Sequence, residues 1–141
     1  HHLSLQHRTL AGRKQDGAGD KLVANLAESL AWRQVYGPVA IVCDNPNEFL
    51  AALQIEWAAA TAALAANRLQ LMRHCSFSTK LPIEESYAWV QIATIDEFLK
   101  WPPNCRTMYV ACNVTSTHLH QLTAWMPSYG EVIVYKHPKN I

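Results

Sequence analysis

The side chains of this chain that could do chemistry stand in a few short groups: His118-Leu119-His120, the carboxylate pairs Glu84-Glu85 and Asp96-Glu97, and the adjacent His74-Cys75. Two histidines two residues apart share a face, and could share a metal, only on a strand. On a helix they diverge by about 200° around the axis. The residues around them have a helical pattern, which sends His118 toward the inner face and His120 toward solvent. Asp96 and Glu97 follow Thr94 in a T-x-x-E capping box, and a first helical turn favours acids, so a helix start accounts for both. Glu84-Glu85 has no acid at an informative spacing and reads as solvated loop. Adjacency of His74 and Cys75 does not aim the imidazole at the thiol. No G-x-S-x-G, G-x-x-x-x-G-K-[ST] or G-x-G-x-x-G is present, and Cys43, Cys75, Cys105 and Cys112 form no C-x-x-C pair. Neither a metal nor a cofactor is expected.

Two places keep unassigned chemistry. Asp44 directly follows the apolar run Val39–Cys43, and Asn45 can already cap the next helix. Asp44 is then free for a ligand, unless it is itself the cap. The loop Asn113-Val114-Thr115-Ser116-Thr117 offers hydroxyls and helix-start N–H groups that suit a phosphate or carboxylate, although Ser and Thr are also ordinary caps. A site at the carboxyl ends of the strands would gather Asp44, Thr94, Asn113 and Thr115.

The elements that must position these residues alternate. Val39–Cys43, Ala88–Ala93, Thr107–Asn113 and Glu131–Lys136 read as strands. Helical segments start near Pro46, Thr94 and Thr115. A further helix is expected from Lys21, capped by Asp20, to about Gln34. The segment 68–77 reads as a partly exposed strand, with a helix continuing to His74 as the alternative. This rhythm predicts a three-layer α/β fold, flavodoxin-like or Rossmann-like. Four to five mostly parallel strands would have helices on both faces, and ligands would sit at the strand ends. Residues 1–19, rich in Gly, Gln, Arg and Lys, are expected to be a flexible tail, and residues 20–141 one domain.

The helix from Pro46 to roughly Ala66 stands apart. Asn47, Gln54 and Thr61 recur every seven positions as one narrow polar stripe, and nearly everything else is Ala, Leu, Ile or Trp. Such a helix is expected to be covered on most sides. Glu56 lies away from the stripe, near Phe49, Leu53 and Ala60. Its carboxylate needs a partner, Arg33 or Arg106, or an open surface at a subunit contact. The second option predicts a self-association face of Phe49, Leu53, Glu56 and Ala60. No transmembrane helix is expected, because Gln54 and Glu56 interrupt the most apolar window.

Half of the 141 residues are apolar and the net charge is +1, so a core can form. The same balance leaves no broad electrostatic case for nucleic acid or for an anionic membrane. Cysteines placed in apolar strands fit a reducing, cytoplasmic compartment.

Val39–Glu48, reading V-A-I-V-C-D-N-P-N-E, resembles the first strand and loop of response-regulator receiver domains, which often carry acid-acid-Asn-Pro there. The later order of strands and Lys136 near the end of the last one are also similar. The resemblance implies that Asp44 matches one of that family's metal-binding acids and Lys136 its lysine beside the phosphoryl group. Cys43 replaces the other acid, and Ala93-Thr94 stands where the phosphate-accepting Asp would be. The expected function is therefore a non-enzymatic regulatory or protein-interaction module without a phosphoacceptor, associating with itself or with another protein. The alternative is a small-molecule or nucleotide-binding enzyme with its site at the strand ends.

Overall fold

The computed structural model describes residues 4–9, 15–31, 38–66, 76–81 and 88–136, with side chains from Leu22 to Tyr135. Among them, in chain order, are β1 (Ser4–Thr9), α1 (Gln15–Ala31), β2 (Val39–Val42), α2 (Pro46–Ala66) and β3 (Phe77–Ser78). Next come β4 (Val90–Ala93), α3 (Ile95–Lys100), β5 (Thr107–Val110), α4 (Ser116–Thr123) and β6 (Glu131–Lys136). The strands form one sheet in the order β1-β6-β5-β2-β4-β3, and every described pairing is parallel.

The central strands are apolar on both faces because both faces are covered. Val39, Ile41, Ile92 and Ile133 point toward α1 and α2 and pack with Leu26, Leu30 and Leu53. Ala40, Val42, Met108 and Val110 point the other way and pack with Phe98 of α3 and with Leu122 and Met126 on the α4 side. The protein is thus a three-layer α/β fold of the flavodoxin-like and Rossmann-like class. In its own variation of that class, β4 lies between β2 and β3.

The four crossings that carry a described helix obey one rule. Steps toward the β3 edge, from β1 to β2 and from β2 to β3, run over the α1/α2 face. Steps toward the β1 edge, from β4 to β5 and from β5 to β6, run over the α3/α4 face. All four therefore have the same hand, as parallel crossovers require. β2 sends its chain to one face while its neighbours β4 and β5 send theirs to the other. The ends of these strands form the switch point of the sheet.

Several expectations change. The segment expected to be a tail carries β1, which pairs with β6 from Ser4↔Glu131 to Thr9↔Lys136, and α1 begins at Gln15 rather than Lys21. The sheet therefore has six strands, one more than the upper expectation. Residues 67–75 lie outside the described residues, as does His74-Cys75; β3 occupies the end of the 68–77 segment.

The helix α2 has the expected bounds but not the expected cover. Leu53 and Leu64 are its buried residues, while Ile55 is 70% exposed. Its apolar character comes largely from alanine, whose small side chain has little surface to hide. By length and composition α2 could cross a membrane, and 11% of its apolar window is buried. In the fold it is the crossover between β2 and β3 and lies along α1. The four residues expected to form a self-association face do not share one exposed surface. Leu53 is fully buried and Phe49 packs against the same core, so these two face inward. Glu56 and Ala60 are half-buried. Glu56 meets no partner among the described residues; Arg106 stacks on Tyr129, and Arg33 lies outside them.

Candidate functional site

A cavity of about 630 Å³ opens at the carboxyl end of the sheet. Its lining comes from the three strand ends of the switch point. Asp44 follows β2. Thr94, Ile95 and Asp96 form the β4–α3 junction, while Asn113, Val114, Thr115 and His118 come from the β5–α4 junction. The cleft has a topological cause. With the chain after β2 leaving for the opposite face, the starts of α3 and α4 flank a gap above the end of β2. Crevices of this kind are where open α/β sheets bind ligands.

Each wall is held by local chemistry. Thr94 caps α3: its Oγ1 accepts from the Glu97 N–H at 3.2 Å, and the Glu97 carboxylate accepts from the Thr94 N–H at 3.0 Å. The Thr94 hydroxyl also donates to Glu97 Oε1 at 3.1 Å. The hydroxyl is thus committed to the capping box, and Thr94 contributes shape rather than a free polar group. On the other wall Thr115 Oγ1 accepts from the His118 N–H at 3.1 Å, which leaves its own proton to donate. Asn45 occupies the cap position before α2, with the Phe49 N–H donating to its carbonyl at 2.9 Å. Asp44 is therefore outside the helix start.

The side chains of Asp44, Asp96, Asn113 and His118 have no hydrogen-bond or ion-pair partner among the described residues. Asp44, Asp96 and Asn113 are exposed and His118 is half-buried. Among the described residues neither lysine nor arginine lines the cleft. Lys136 ends β6, which β5 separates from β2, and its side chain lies outside the described ones.

The thiols beside Asp44 are inert. Burial, then the neighbouring Cys112 and Asp44, push the Cys43 thiol up to about 12. Burial and then Asp44 push Cys112 up to about 11. Nucleophilic sulfur needs the thiolate, so neither residue serves as a nucleophile near neutral pH.

Of the residues picked from the sequence, Asp44, Thr94, Asn113 and Thr115 do come together here. Asp96 and His118 were missed, because a helix start explained the first and an amphipathic helix the second. Both explanations hold locally, and only the strand order adds the second role. Among the described residues no group of three or more His, Cys, Asp and Glu is placed to hold a metal. Neither a scan against models of known protein families nor a search of curated proteins finds a match for this chain.

Proposed function

We propose that this protein is a ligand-binding domain and that a small polar molecule occupies the cleft at the ends of β2, β4 and β5. One observation carries the reading. Four polar side chains without partners among the described residues converge in one cavity at the switch point of a parallel sheet. Binding is favoured over turnover because the nearby thiols are protonated and the Thr94 hydroxyl is already engaged. The three buried cysteines without a disulfide suit a reducing, cytoplasmic setting.

A second reading, a receiver-like interaction module that associates with itself or another protein, draws on the open face of α2 around Ile55. The receiver resemblance gains from Asp44 and Lys136 lying at the same end of the sheet. It loses from β4 standing between β2 and β3, where flavodoxin-like sheets run 2-1-3-4-5.

A thermal-shift screen of metabolites against wild type and Val114→Trp separates the readings. A ligand at 100 times its dissociation constant adds about 2.7 kcal/mol to stability. The ligand-binding reading expects shifts in wild type that vanish in the filled-cleft variant, each measured against that protein's own unliganded Tm. Shifts of equal size in both proteins would place binding elsewhere and count against the cleft.

A further inference from the structure

We infer that the cleft is built for a small dipolar ligand, an amino-carboxylate with a protonated amine at one end and a carboxylate at the other. This chemistry presupposes the ligand-binding reading above and specifies its ligand.

The lining differs between floor and walls. Asp44, at the end of β2, lies between the two walls, and Asp96 stands on one of them in the first turn of α3; neither carboxylate has a partner among the described residues, and no basic side chain among the described lining residues neutralises them. The β5–α4 side presents donors instead. Asn113 has an amide and His118 an imidazole without partners among the described residues, and Thr115 has a hydroxyl proton. Thr115 Oγ1 is spent on the N–H of His118, and the N–H of Leu119 donates to the Thr115 carbonyl. The N–H groups of Ser116 and Thr117, earlier in the same turn, have no intrahelical acceptor and add to the positive end of the helix dipole.

Charge decides among ligand classes. A phosphate or other simple anion would satisfy the donor side but would face Asp44 and Asp96 with no lysine or arginine among the described lining residues to offset them. A simple amine would satisfy the carboxylates and leave the donors unmet. A ligand carrying both ends meets both sides, and its own charges are matched in sign to each. The volume of about 630 Å³ exceeds what the charged ends need, which leaves room for a side chain against Ile95 and Val114.

The test uses the whole chain, with binding followed by amide NMR shifts and calorimetry. The probes are the common amino acids, the corresponding amines lacking the carboxylate, the acids lacking the amine, inorganic phosphate and a neutral fragment set. An amino-carboxylate is expected to shift the amides of Asp44, Asp96 and residues 113–118. Removing either charged end should weaken binding about tenfold, since hydrogen bonds to charged groups contribute about 1.5–3 kcal/mol each. Asp44→Asn and Asp96→Asn should each weaken the amino-carboxylate at least about fivefold without weakening the des-amino acid, with spectra otherwise unchanged. If amines, phosphate or neutral fragments bind in the cleft as well as amino-carboxylates do, the dipolar chemistry is wrong and the ligand-binding reading stands. If no probe perturbs the cleft, both fail.

Discussion

At Cys43 burial and a carboxylate act in the same direction: both disfavour the thiolate, and the thiol rises from 9.0 to about 12. The folded value lies above the unfolded one. The stability this contributes is therefore complete below about pH 9 and is lost as pH climbs toward the folded values of Cys43 and Cys112. At about pH 8 iodoacetamide should label Cys43 and Cys112 in the native chain roughly a hundredfold or more slowly than in the denatured chain. Peptide mass spectrometry reads this directly, and equal rates would show that the thiols are not shielded as described. Residue-level legibility was uneven for a physical reason. Asp44 stood out in the sequence because Asn45 could do the capping. Asp96 and His118 did not, because each already satisfied a local rule.

The helix α2 separates composition from burial. Its bounds were readable from Pro46, Glu48 and the absence of breakers up to Ala66. Its cover was not, since a run of alanine is apolar in any surroundings and fixes no inward face. Leu53→Ala should cost about 2–5 kcal/mol, the range for truncating a buried leucine. Ile55→Ala, two residues along, should stay within about 0.5 kcal/mol. Urea unfolding measures both, and a large loss at Ile55 would reveal a contact that this face does not have in the single chain. β1 was unreadable for the opposite reason. Ser4-Leu5-Gln6-His7-Arg8-Thr9 is polar, as an edge strand can be, and the glycines at Gly17 and Gly19 argued against a helix start that occurs at Gln15.

At the scale of the whole molecule, the rhythm of strands and helices predicted the layers, but the strand order is a tertiary property that no local pattern encodes. That order creates the cleft, and it also puts β1 at the edge beyond β6. Removing residues 1–10 strips β6 of its outer partner and exposes a row of backbone donors and acceptors. The shortened chain should melt about 5 °C or more lower and scatter light increasingly with concentration. An unchanged Tm with a clean monomer would mean that β1 carries no weight in the sheet. The same pairing bears on how the molecule is made. Ser4 must find Glu131, so the contact joins nearly opposite ends of the described chain and has close to the highest contact order the sheet allows. During synthesis β1 has no partner until β6 has left the ribosome. The sheet can then be completed only after the rest of it has been made, and closing its edge should be among the late, slow events of folding.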